Sequence, residues 1–349
     1  MIRLSLAERL QSRAARALLS LPDAAQRLLA GGGPIVRDGN TLDAQVQHML
    51  AITRRLGRGA FERQPVEQAR REMDVNALVL APRTGPFEQV VDAMFPGPGG
   101  EIPARIYRPA GLGRSAPALV FFHGGGWVVG SVASHDPVAR YIAQEGRCVV
   151  ISVDYRLGPE HRFPAAPDDA LAAFRHVAAR AGELGVDPRR IAVGGDSAGG
   201  NLSAVVSLDT RGDAVRPAFQ WLVYPAVDLT MSFPSIVSLG EGFFLERLKM
   251  DWFIEHYLRG PADRTDPRAS PWFAADVAGA PPAAVFTAGF DPLRDEGAAY
   301  ARKLAAAGVP TTYVCHGSMF HGFMNTCGGM SNARGPVDAM IAALRVGLE

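Results

Sequence analysis

The chain reads as an α/β protein: a mostly parallel central sheet flanked by helices, with a helical cap over one edge. Three observations predict this. From residue 118 onward, short strand-like runs that are apolar on both faces alternate with helical patterns, as in a parallel sheet covered on both sides. Just before them, Pro96-Gly97-Pro98-Gly99-Gly100 joins two extended segments as a turn. One connection, about 228–268, is too long for an ordinary link between a strand and a helix.

Residues 1 to about 85 carry helical patterning. Leu6, Leu10, Ala14 and Leu18 share one face of a first helix, with arginines on the others. Pro22 suits a helix's first turn, and Gly31-Gly32-Gly33 stops the run after Leu29. A second helix is expected from Thr41, with Leu42, Val46, Met49 and Leu50, closing near Gly57; a third covers about Val66 to Leu78. The basic first helix suits either a membrane surface or packing against the body of the protein or a second subunit, and its modest hydrophobicity favours packing.

Phe87–Val91 and Ile102–Tyr107 read as an antiparallel pair. Strands follow at 118–122, 148–153, 191–193, 219–224, 284–288 and 311–314, and helices at about 137–144, 164–181, 198–208, 294–307 and 336–348. The segment 228–268 holds Phe233, Phe243, Phe244, Trp252, Phe253 and Tyr257 among its charges. It is expected to form an inserted helical element that, with residues 1–85, caps the carboxyl edge of the sheet, where open α/β sheets hold their ligands. The organisation is thus an N-terminal helical segment, 1–85, and a main domain, 86–349, carrying the insertion.

Composition narrows the partners. Hydrophobic residues make up 48% and charged residues 20% of 349, ample for a buried core. A net charge of +1 offers no global field for nucleic acid or an acidic membrane, so no nucleic-acid partner is expected. Cys148, Cys315 and Cys327 are an odd count in a long chain, which argues for a reducing, cytoplasmic setting. Apolar stretches fall short of a membrane span, and Glu8, Arg9, Arg13 and Arg16 break up any signal-peptide core, so integral membrane association is not expected.

The chemistry concentrates in a few motifs. Gly195-Asp196-Ser197-Ala198-Gly199 lies between a strand and a helix, either as a glycine-rich loop with a chance serine or, as the strand–turn–helix context favours, as a sharp turn that exposes a serine nucleophile and where bulkier flanking residues would collide. A serine needs a base and a stabilised oxyanion. His123-Gly124-Gly125-Gly126-Trp127 follows a strand, and its glycines let backbone N–H groups converge on one oxygen. Asp291 emerges after the strand 284–288, either as a catalytic acid or as a helix cap with Pro292 at the first position. Asp295 and Glu296 fall inside that helix as surface or structural charges. His316 and His321 both follow the last strand, and loop length does not separate them. The histidines show no metal-ligand spacing and no dinucleotide fingerprint precedes a helix, so neither a metal nor an organic cofactor is expected.

Together these motifs, with Asp154-Tyr155-Arg156-Leu157, Pro159-Glu160-His161, Asp291-Pro292-Leu293-Arg294-Asp295 and His321-Gly322-Phe323, resemble the hormone-sensitive-lipase-like family of the α/β-hydrolase fold, the bacterial family IV esterases. The resemblance runs from about Leu42 to the C-terminus; residues 1–40 extend beyond the usual family length, and Gly158 stands where alanine is common. It implies a serine carboxylesterase acting on small esters with short to medium acyl chains. Ser197, Asp291 and His321 would be the triad, with His321 rather than His316 as base. Gly124, Gly125, Gly126 and Ala198 would form the oxyanion hole, Gly124 by shaping the loop, with His123, Trp127 and Asp196 in support. Glu160 and His161 would be structural. A lipase or an amidase uses the same constellation, and a receptor on this fold would lack a catalytic residue. The last strand, 311–314, leaves a homodimer open.

Overall fold

The computed structural model describes residues 5–55 and 61–349. The expected helix end near Gly57 lies outside the described residues. Eight strands form one sheet: β1 Phe87–Gly97, β2 Gly100–Pro109, β3 Ala116–Phe122, β4 Val149–Val153, β5 Val186–Asp196, β6 Phe219–Val223, β7 Ala283–Phe290 and β8 Thr311–Phe320. Their order is β8-β7-β6-β5-β3-β4-β2-β1. The β1–β2 hairpin and the β2–β4 pair are antiparallel, and β3 through β8 run parallel. The chain leaves β3 to one side for β4 and returns to the other for β5. Loops after β3 and β5 therefore diverge, opening a crevice at their carboxyl ends.

Alternation along each strand explains the two-sided core. Val120, Phe122, Ile151 and Val193 point to one face and meet Phe174 and Leu202. Leu119, Phe121 and Val150 point to the other and meet Ile142 and Ile341. The helices are α1 Leu6–Leu19, α2 Asp23–Ala30, α3 Ala44–Arg55, α4 Val66–Val79, α5 Val132–Gly146, α6 Ala165–Ala179, α7 Ala198–Asp209, α8 Ser235–Ser238, α9 Arg247–Tyr257, α10 Arg294–Ala306 and α11 Ser331–Gly347. Phe174 and Leu202 belong to α6 and α7, Ile142 and Ile341 to α5 and α11. Between β6 and β7, the long segment supplies α8, α9 and two single 3₁₀ turns.

Several boundaries differ from the sequence reading. Helix α5 starts five residues before Pro137, because Ser131 caps it by accepting the Ser134 N–H. Strand β5 begins at Val186, paired to Ala116, and a register shift there hides it behind Asp187-Pro188-Arg189-Arg190. Strand β8 runs on to Phe320 through a bulge. In α1, Leu6, Leu10 and Leu18 are exposed on this chain, so the face does not pack against the body of the protein. Polar anchors decide the orientation: Ser12 Oγ donates to the Val79 carbonyl, and the Arg16 guanidinium donates to those of Val79, Ala81 and Gly328. All three cysteines are free thiols, Cys148 buried as expected. No helix among the described residues is long and apolar enough to cross a membrane.

Candidate active site

Four parallel strands each end one residue before a candidate group. His123 follows β3, Ser197 follows β5, Asp291 follows β7 and His321 follows β8. The sheet register thus brings distant sequence positions to one edge.

Ser197 has φ 58° and ψ −117°, a backbone state that few non-glycine residues adopt, costing about 1–3 kcal/mol. The turn is held on both sides: the Ser197 N–H donates to the Val223 carbonyl at 2.9 Å, and its own carbonyl accepts from Asn201 at 3.1 Å. A Cβ at Gly195 or Gly199 would lie 2.1 or 1.8 Å from the Phe122 carbonyl oxygen, so neither position admits a side chain.

The bulge in β8 separates the two histidines. His316 pairs with Ala288, whereas the next registered pair is Phe320 with Phe290. Four residues of β8 thus span two of β7, and the residues that follow, His321 and Asp291, come to lie side by side. His321 Nδ1 is 2.8 Å from Asp291 Oδ2, and Nε2 is 3.0 Å from Ser197 Oγ. His316 instead packs against Phe286 and Phe323, and burial lowers its affinity for a proton. Asp291 is fully buried; Oδ1 accepts the Leu293 N–H at 2.8 Å in the turn before the next helix, so it does not cap that helix, while Oδ2 faces His321. Helix α10 begins at Arg294, so Pro292 precedes it rather than opening it.

The loop His123–Trp127 is tied to the end of β5. Gly124 N–H donates to Asp196 Oδ1 at 2.9 Å, which leaves that donor occupied and Gly124 as a shaping residue. Burial would raise the Asp196 pKa, but His135, the Asn325 amide and the Gly124 N–H outweigh it and keep the carboxylate below its ordinary range. Gly125 and Gly126 adopt φ 121° and 59°, a left-handed backbone that glycine allows. Ala198 opens α7, where a first-turn N–H has no partner within the helix. His123 is buried, its ring 2.8 Å from the Gly124 carbonyl and stacked on Tyr155, and burial with neighbouring His135 pushes its pKa down to about 3. It braces the loop as a neutral ring.

The profile of a family described as α/β hydrolase fold matches residues 119–325. Carboxylic ester hydrolase LipN of Mycobacterium tuberculosis is 44% identical over 340 residues, 94% of this chain and 89% of its own length. This chain belongs to the hormone-sensitive-lipase-like family of α/β-hydrolase-fold esterases. An arylesterase of Saccharolobus solfataricus is 36% identical over 305 residues, 87% of this chain and 97% of its own. Among solved structures, an ester hydrolase from the Lake Arreo metagenome, in complex with a bipyridine phosphonate derivative, gives a TM-score of 0.84 at 42% identity, covering 87% of this chain and 98% of that one.

Around Ser197 lies a cavity of about 600 Å³ that also reaches His321, Gly125 and Gly126. Its walls come from both segments that the sequence placed over the sheet edge: Ala15 and Leu19 of α1, Met73 of α4, Met250 and Phe253 of α9. Trp127 lines it too, stacked on Tyr257 at 4.5 Å. A Cβ at Gly126 would meet the Phe253 ring at 2.2 Å.

The sequence left Glu296 as a surface or structural charge and missed Arg70. Glu296 is fully buried and structural; its Oε1 accepts from Val227 and Asp228, and burial raises its pKa well above the ordinary carboxylate range. Arg70 of α4 donates to the carbonyls of Val128 and Gly158 and grips Glu160 through both carboxylate oxygens. Glu160 is therefore structural, and neither it nor His161 lines the cavity. Nothing in the sequence pairs Arg70 with Glu160, ninety residues away. Among the described residues, no three His, Cys, Asp or Glu side chains are placed to hold a metal ion.

Proposed function

We propose that the protein hydrolyses carboxylic esters through an acyl-enzyme on Ser197. The observation that carries this reading is the unbroken contact chain from buried Asp291 through His321 to Ser197 Oγ, at 2.8 and 3.0 Å, opening on the cavity. His321 Nε2 takes the Ser197 proton as Oγ attacks the ester carbonyl carbon. Asp291 holds Nδ1–H and stabilises the imidazolium that forms. The N–H groups of Gly125, Gly126 and Ala198 receive the oxyanion. When the tetrahedral adduct collapses, the C–O bond to the alcohol breaks and His321 gives the leaving alkoxide its proton. Water, deprotonated by His321, then attacks the acyl carbon, and release of the acid restores Ser197 Oγ–H. Similarity to an ester hydrolase and an arylesterase over most of the chain supports the substrate class.

The apolar, bounded cavity supports short to medium acyl chains, with residues 1–85 and the 228–268 insertion acting as the cap that bounds them. The test is a series of p-nitrophenyl esters from acetyl to palmitoyl. Turnover should peak at the shorter chains, and a maximum at palmitoyl would overturn that preference. Ser197→Ala and His321→Ala should each lower kcat by about 10⁴-fold or more, while His316→Ala keeps most of it. Near-native hydrolysis by Ser197→Ala would sink the mechanism.

A further inference from the structure

We propose that α1 docks the protein onto an anionic lipid surface, with its leucine ridge inserted and its arginines on the phosphates. At about 100° per residue, α1 has four sides. Ser12, Arg16 and Leu19 face the body. The opposite side is Leu6, Leu10, Ala14 and Ala17, all exposed; Leu6 shows 74% and Leu10 56% of its surface. Leu21, just past the helix, is exposed as well.

The two flanks differ. One carries Arg9 and Arg13, both exposed, and leads through Arg16 to a hollow of about 380 Å³ lined by Arg16, Arg83, Arg334, Gly328 and Gly329. Arg334 in that hollow also lies 3.6 Å from Asp338. The other flank, Gln11 and Ala15, lines the cavity over Ser197. Glu8 is the helix's lone acid, and its carboxylate is engaged by the Ser5 N–H in the capping box. An exposed leucine ridge beside a row of arginines fits a helix lying in the plane of a lipid–water boundary, its guanidiniums reaching back to phosphates. The chain's net charge of +1 conceals this local excess. An antiparallel two-fold pairing of the ridge with a second copy would bring the same arginines against each other, so charge favours the lipid surface as occupant. In this position the cavity-lining flank of α1, with Gln11 and Ala15, lies beside the boundary where apolar molecules collect.

The experiment is flotation of the full-length protein with vesicles of phosphatidylcholine alone or mixed with phosphatidylglycerol, at low and physiological salt. Binding should require phosphatidylglycerol and weaken with salt. The double variant L6Q/L10Q should lose binding by about tenfold or more, and R9Q/R13Q by roughly tenfold. L6Q/L10Q should keep its melting temperature and its hydrolysis of water-soluble esters. Ser197→Ala should float like the native protein, so a failure of the esterase reading leaves this result intact. The proposal is overturned if the folded protein ignores phosphatidylglycerol vesicles, or if L6Q/L10Q floats equally well. It is also overturned if sedimentation velocity reveals a dimer that L6Q/L10Q dissociates, because a second copy then covers the ridge.

Discussion

The chain contains two glycine triplets that look alike in sequence and differ in what they must avoid. At Gly31-Gly32-Gly33 only the first is conformationally committed: it closes α2 with φ 81°, and a Cβ on Gly32 or Gly33 would meet nothing within 4 Å. At Gly124-Gly125-Gly126 every position is crowded. A Cβ on Gly124 would sit 2.6 Å from the Asp196 carboxylate, one on Gly125 2.1 Å from the Val129 carbonyl oxygen, and one on Gly126 against Phe253. Glycine serves the first triplet by stopping a helix and the second by letting other atoms come close. The same letters therefore encode a punctuation mark in one place and a close-packed loop beside Ser197 in the other.

The contrast can be broken by substitution. Gly125→Ala forces a side chain into a backbone oxygen at φ 121°, so kcat should fall at least about 100-fold even where the protein still folds. Steady-state rates on a p-nitrophenyl ester measure this, and a loss under tenfold would mean the loop can yield. Acid comes next in size. His123 is held neutral, its pKa moved from 6.5 to about 3, so the unfolded chain binds the extra proton first. Its contribution to stability is intact above about pH 6.5 and is lost as pH falls from there toward 3, at up to about 1.4 kcal/mol per unit. Urea midpoints across that range should show the slope, and His123→Asn, which retains an N–H donor, should flatten it. The smallest effects belong to the other triplet. Gly31→Ala should cost about 1 kcal/mol and Gly32→Ala within about 0.5 kcal/mol, with activity unchanged for both; thermal melts decide.

Local chemistry was legible, and tertiary choice was not. Gly195 through Gly199 announce their turn because the steric demand lies within five residues and the strands that flank them. The buried strands show as apolar runs because both their faces are covered. By contrast, Leu6, Leu10, Ala14 and Leu18 reveal a stripe but not which way it faces; Arg16 settles that through carbonyls as far away as Gly328. His316 and His321 cannot be ranked by distance from the strand, since the bulge before Phe320 exists only in the pairing of β8 with β7. Asp187-Pro188-Arg189-Arg190 reads as loop, yet the segment belongs to β5. Glu296 resembles any helix glutamate until the Val227 and Asp228 N–H groups meet it.

Arg70 has a mechanical consequence. Four hydrogen bonds from one guanidinium fasten α4 to Val128 beside the loop His123–Trp127, to Gly158 and to Glu160. The wall over the cavity and the loop that would receive the oxyanion are thereby tied together through one side chain. A change that slackens α4 is transmitted to the loop, so Arg70→Ala should lower kcat about as much as it raises KM, whereas a wall that only shaped the pocket would show its loss in KM alone.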